Sequence, residues 1–269
     1  MKQNIANLIE RFPVLQKPVY LAYIGVDVTK NIVMRFFVRN FGWEPKWVSD
    51  RGQDKWVIND VFKGKNGGFF VELGAADGFS DSNTFALEKH FGWTGLLIEP
   101  NPINNAKIKG PHRRTATAVQ YAVDPEGGKL EFMVDGQLSS LLVDEADNMT
   151  ERRAAKVARY RDQGKIVTVD ALPLEAIFDK FNAPADIDYF SLDVEGSETR
   201  ILRNFPFDRY RFLSLTIERP TPELNEILFR NGYHFVKNSL YDTFYVHESN
   251  PRFNEIEKQP FVQLPPKRF

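Results

Sequence analysis

Short apolar runs alternate along this chain with amphipathic stretches, and that rhythm predicts an α/β domain. Phe69 to Leu73 is apolar except for Glu72, the pattern of a central parallel strand covered on both faces. Ser82 to Phe91 reads as a helix and Thr94 to Ile98 as the next strand. Thr115 to Val123, Lys129 to Val134 and Lys165 to Asp170 alternate as strands, with a basic helix from Glu151 to Asp162. Ala171 to Phe181 reads as helix, Ile187 to Leu192 as a buried strand and Ser197 to Asn204 as its following helix. Arg211 to Ile217, Glu223 to Asn231, Tyr233 to Lys237 and Tyr241 to His247 complete the series. The last two strands are close enough for a hairpin across Asn238-Ser239, which makes the final strand antiparallel. The order predicts a mainly parallel sheet with helices on both faces and one antiparallel strand near its edge.

Three regions follow from this pattern. Residues 1–52 form an N-terminal helical extension, with helices near Asn4 to Arg11 and Asn31 to Phe41. Phe36, Phe37, Phe41 and Trp43 there are expected to pack rather than bind a ligand. Residues 53–248 form the main domain, entered through Gly67-Gly68, and 249–269 form a polar, proline-containing arm or tail.

The candidate chemistry begins at the first strand. Gly74 and Gly78 allow the backbone to bend and approach a ligand. Glu99 ends the second strand, where a carboxylate can bind two ribose hydroxyls. Together these predict a site for an adenosine-containing cofactor. A dinucleotide fold would need the tighter G-x-G-x-x-G, and no Gly-Lys-Ser/Thr phosphate loop follows. The spacing here is Gly74-x-x-x-Gly78, flanked by Glu72 and Asp77. Such a loop repels pyrophosphate and suits a cation, and S-adenosylmethionine carries both a sulfonium and an ammonium. The plainer alternative is that Glu72 is a strand-end acid and Asp77 a turn former.

Glu72-Leu-Gly-Ala-Ala-Asp-Gly78, Ser82-Asn-Thr84, Leu97-Ile-Glu-Pro-Asn101, Ser139-Ser-Leu141 and Asp188-Tyr-Phe-Ser-Leu-Asp-Val-Glu-Gly-Ser-Glu198 carry a family resemblance. With Thr216-Ile-Glu218, Gly232-Tyr and Asp242-Thr-Phe-Tyr-Val246, the chain resembles the FkbM-type S-adenosylmethionine-dependent methyltransferases from about Gln53 to His247. Glu72 replaces the more frequent Asp, and the Asp81-Ser-Asn-Thr84 segment is longer than usual. The resemblance implies a Rossmann-like class I methyltransferase fold with a seven-stranded sheet. It also implies a hydroxyl acceptor on a sugar, glycan or related small metabolite. The cofactor set so predicted is Glu72, Gly74, Ala75, Asp77, Gly78, Asn83, Thr84, Glu99, Pro100, Tyr121, Ala122, Ser139 and Asp193.

Methyl transfer from a sulfonium needs alignment and removal of the acceptor's proton. Asp193, at a strand end beside the cofactor's methyl group, is the first candidate base, with Glu195 and Glu218 behind it. An acid cluster of this kind also suits a divalent ion such as magnesium on Asp193 and Glu218. Against this, Asp193 and Ser197 can cap the next helix, and Glu198 can complement its dipole.

Composition narrows the classes. A net charge of −1 gives no basic stripe for nucleic acid. The absence of cysteine removes thiol catalysis, cysteine-ligated zinc and disulfides. His90, His112, His234 and His247 show no metal-ligand spacing. No leader is expected at the start, and the run Val19 to Val26 is too short to span a bilayer, so a cytoplasmic protein is expected. The run Arg152-Arg153…Lys156…Arg159…Arg161…Lys165 reads as a solvated face, or as a lid for a phosphate-bearing acceptor. Three functional readings remain: an O-methyltransferase, an N-methyltransferase on the same scaffold, and a non-catalytic cofactor-binding module that self-assembles through its N-terminal region and tail.

Overall fold

The computed structural model describes residues 46–110, 114–143 and 151–265, without the side chains of Gln137, Glu151 and Arg152. The two N-terminal helices expected within residues 1–45, and His112, lie outside the described residues.

Seven strands make the main sheet: β1 (Phe69–Leu73), β2 (Thr94–Ile98), β3 (Thr117–Val119), β4 (Tyr189–Leu192), β5 (Ser214–Glu218), β6 (Tyr233–Ser239) and β7 (Asp242–His247). Their spatial order is β6-β7-β5-β4-β1-β2-β3. β1 pairs in parallel with β2 and β4, and β5 in parallel with β4. Only β7 runs against its neighbours β5 and β6. This is the Rossmann-like, seven-stranded arrangement expected of a class I methyltransferase.

Side-chain alternation divides the core into two layers. Val71, Leu73, Ile98, Phe190, Leu192, Leu215 and Ile217 fill one face. Phe70, Leu97, Tyr189, Phe244 and Val246 fill the other, against Trp56 and Trp93. Two flanking helices carry their start signals in the sequence. Asn101 accepts from Ile103 N before Pro102–Lys109, and Thr221 accepts from Leu224 N before Pro222–Arg230.

The predicted elements shift where a local bond outcompetes periodicity. The helix expected from Ser82 begins at Phe85, because Ser82, Asn83 and Thr84 donate to Glu72 instead. The strand expected over Thr115 to Val123 breaks in two. Thr117–Val119 stays in the main sheet, while Ala122–Val123 joins a second, four-stranded sheet with Gly128–Met133, Ser140–Leu141 and Ile166–Leu172. Ala171 and Leu172 finish that last strand, so the next helix starts only at Leu174, after Pro173. The hairpin turns at Leu240-Tyr241, two residues later than expected. Residues 249–265 do not fray. Gln259 N donates to Val236 O, Asn238 Nδ2 to Val262 O and Gln263 Nε2 to Pro220 O, so the tail lies along edge strand β6.

Beneath the loop after β1 lies a buried ion pair. Arg114 Nε donates to Glu88 Oε2 at 2.7 Å, with side chains 0% and 1% exposed. The same guanidinium donates to Gly78 O and Thr84 Oγ1. Burial opposes the Glu88 charge, but Arg114 outweighs it and holds the pKa below the usual carboxylate range. Arg114→Met leaves that buried carboxylate to the longer pairing with Lys89 Nζ at 3.7 Å and should cost about 3 kcal/mol. Urea unfolding of the variant against the parent measures it.

Candidate active site

The main sheet presents its acids along one edge. β1 ends at Leu73, β2 at Ile98, β4 at Leu192 and β5 at Glu218, so Gly74, Glu99, Asp193 and Glu218 stand at neighbouring parallel strand ends. That edge is where ligands bind in open α/β sheets. Asp193 N donates to Leu73 O, and Gly74 N to Ile98 O, which holds the strand ends together. Gly74 has φ 86°, and a Cβ built on it would sit 1.8 Å from Asp193 O. Only glycine fits there.

Two cavities open on this edge and share Leu73, Gly74, Ala76 and Asp193. The larger, of about 210 Å³, lies over β1, β4 and β5. It contains Glu72, Gly74, Ala75, Asn83, Asp193, Glu195 and Glu218 from the predicted set, with the unpredicted Asp50, Arg51, Asp81, Tyr241 and Asp242. The smaller, of about 50 Å³, lies over β2. It contains Glu99, Pro100, Ala122 and Ser139, closed by Phe132 and Leu141 of the second sheet and by Val194 and Ile201.

Four predicted residues line neither cavity. Asp77 accepts from Phe79 N, Ser80 N and Ser80 Oγ, and so builds the turn. Gly78 packs against Ile108 with φ 74°. Thr84 Oγ1 donates to Glu72, and Tyr121 packs on the core while its hydroxyl accepts from Lys180 Nζ.

The acids differ in how they are held. Glu72 accepts from Ser82 Oγ, Asn83 N and Thr84 Oγ1 at 2.9, 2.7 and 2.6 Å. Burial raises its pKa, against Arg114 and these donors. Asn83 Nδ2 donates to Ser191 Oγ, and its buried Oδ1 has no hydrogen-bond partner among the described residues. Glu99 accepts from Ala76 N and Asn101 N at 2.9 and 2.8 Å. Burial still pushes its pKa up to about 7, because two amides do not replace water. Glu198 accepts from Val194 N and Gly196 N, which shapes the loop holding Asp193 and Glu195. Oxygens of Asp193, Glu198 and Glu218 lie within 4.8 Å of one another, close enough to share a cation. Ser197 is the N-cap of helix Glu198–Leu202 but makes no side-chain cap bond.

Three cations of the basic helix Glu151–Asp162 have partners within the protein. Lys156 pairs with Asp135 and Arg161 with Glu131, while Arg153 is buried and turns toward Ser140 and Glu195. Arg153 and Tyr241 carry no sequence signal that separates them from ordinary surface residues.

A family model, the methyltransferase FkbM domain, matches residues 72–235. The chain belongs to the FkbM methyltransferase family. It is accordingly a methyltransferase of the S-adenosylmethionine-dependent type. No curated protein matches the chain. Among solved structures it is similar to precorrin-6y C5,15-methyltransferase from Geobacter metallireducens GS-15, at 10% identity over 75% of this chain and 89% of that one, with a TM-score of 0.39. A methyltransferase FkbM from Methylobacillus flagellatus KT gives 14% identity over 83% and 60%, TM-score 0.38. TrmK from M. capricolum, in complex with S-adenosylhomocysteine, gives 11% over 74% and 68%, TM-score 0.37. No helix among the described residues is long and apolar enough to cross a membrane.

Glu99 yields a pH test. Its folded-state pKa of about 7 lies above the ordinary 4.5, so its contribution to stability is fully present below 4.5 and is lost as pH rises through 7. The full displacement from 4.5 to about 7 is worth at most roughly 3 kcal/mol. Glu99→Gln removes that loss, so the unfolding free energy of the variant should gain on the parent between pH 5 and pH 8. A gap that stays constant over this range contradicts the raised value.

Proposed function

We propose that this methyltransferase transfers its methyl group to a hydroxyl of a sugar, glycan or related small metabolite. The observation that carries the reading is the junction of the two cavities at Gly74 and Asp193. On this reading the nucleoside lies over β2 and the amino-acid half over β1, with the reacting carbon between them. Glu99 would accept from the ribose hydroxyls, since each carboxylate has room for more donors than the two amides it holds. The apolar side chains of Phe132, Leu141 and Ile201 would enclose the base. Asn83 Oδ1 is an acceptor suited to the ammonium, and Glu72 adds negative charge behind it.

When bound, the cofactor supplies a methyl group already activated by its sulfonium. Asp193 would hold the acceptor's hydroxyl toward that methyl group and take up the proton the hydroxyl loses on transfer. Glu195 and Glu218 line the same cavity and would orient the acceptor. Asp193, Glu198 and Glu218 could instead share a divalent ion, and the chelator in the assay below separates that route from a carboxylate base. Seven carboxylates and one guanidinium line the acceptor side, and that guanidinium, Arg51, pairs with Asp50. Such a lining supports a hydroxyl-rich acceptor without phosphate.

Incubation with S-adenosylmethionine radiolabelled on its methyl group, a panel of sugars and glycans, and a chelator tests the reading. The expected product is a methyl ether, and Asp193→Asn should lower its rate by roughly a hundredfold or more while S-adenosylhomocysteine still binds. A methylated nitrogen supports the N-methyltransferase instead, and binding without any transfer supports the non-catalytic module.

A further inference from the structure

The second sheet belongs to an inserted lobe, described over residues 122–143 and 151–172, lying in the chain between β3 and the helix Leu174–Lys180. Its strands provide the roof of the smaller cavity through Phe132 and Leu141, while the loop after β4 provides the floor through Val194 and Ser197. Roof and floor are separate parts of the fold, so their spacing must be set by whatever joins them.

Arg153 joins them. The residue is 7% exposed, and its guanidinium donates to both sides. Nη2 reaches Ser140 Oγ at 2.9 Å and Leu141 O at 3.2 Å, and Nη1 reaches Glu195 O at 3.3 Å. Glu195 itself sits at φ 62°, a conformation costly for a residue with a side chain unless its surroundings hold it. A planar guanidinium with five donors can bridge three acceptors on two elements, which a lysine ammonium does less well. The far side of the lobe has its own tie, since Arg200 on helix Glu198–Leu202 bonds Asp124 at 2.7 Å. With this bond and the packing of Val123 and Leu172 on the main core kept, loss of Arg153 would loosen the roof of the cavity rather than release the lobe.

We propose that Arg153 is a positioning residue that clamps the inserted lobe onto the loop after β4 and so sets the affinity for the adenosine half of the cofactor. The inference rests on the reading that the smaller cavity takes the nucleoside. Burial lowers the pKa of Arg153, and the charges of Glu195 and Glu198 offset this, so the clamp stays a cation.

Calorimetric titration of the parent, Arg153→Ala and Arg153→Lys with S-adenosylhomocysteine and with methylthioadenosine tests the clamp. Arg153→Ala should bind both ligands about tenfold more weakly, as loss of charge-assisted hydrogen bonds implies. Added methylguanidinium should restore part of the affinity, and Arg153→Lys should fall between, with far-UV circular dichroism unchanged. Parent-like affinity in Arg153→Ala, or a loss confined to S-adenosylhomocysteine, overturns the clamp. If Arg153→Ala does not fold, Arg153→Lys decides: weakened binding of both ligands supports the clamp and parent-like binding overturns it. A parent protein that binds neither ligand overturns the cofactor reading and the clamp with it.

Discussion

The site depends on a carboxylate buried at the end of the first strand. Glu72 cannot stay there uncompensated, because charge in an apolar sheet is costly without donors. The chain meets that cost by folding Ser82, Asn83 and Thr84 back onto it and by placing Arg114 behind them. Those bonds delay the next helix to Phe85, bring Asn83 to the cavity wall and fix the loop that begins at Gly74. Arg114 also bonds Gly78 O and Glu88, so one cation ties the far end of the glycine loop to the helix that follows it. Glu72 thus acts first as the scaffold of the cofactor loop, and only through its field on a ligand.

The rest of the site is two cavities with different chemistry meeting at one glycine. The side over β2 is closed by apolar side chains from an inserted lobe; it shares Asp193 with the other side, and burial pushes the pKa of its own carboxylate, Glu99, up to about 7. The side over β1, β4 and β5 is lined by acids. On the proposed reading, ribose hydroxyls donating to Glu99 would favour its ionised form and so couple nucleoside binding to proton release. On that reading, the strand ends place the reacting groups and the lobe sets how tightly the ligand is enclosed.

Much of the main sheet was legible because strands buried on both faces have to be apolar, and β1, β2 and β4 obey that rule. The antiparallel β7 was legible from the short spacing of the last two runs. The inserted lobe was not. Thr115 to Val123 alternates continuously, and nothing in that pattern marks the point where the chain leaves one sheet for another. Asp77 and Glu72 look alike in sequence as acids of a glycine loop, yet one builds a turn and the other anchors three donors. Arg153 was hidden among basic neighbours, since helical spacing says which residues share a face but not which face meets the protein. Between an arm and a frayed tail the composition could not choose, since polar, proline-containing sequence does not show whether a segment will bond the open edge of β6.

The central claim is that the glycine loop and Glu99 hold S-adenosylmethionine and no dinucleotide. Parallel calorimetric titrations of the full chain with S-adenosylmethionine and with NAD decide it. Saturable one-to-one binding of S-adenosylmethionine, with no heat from NAD, is the predicted result. Binding of NAD alone would contradict the account.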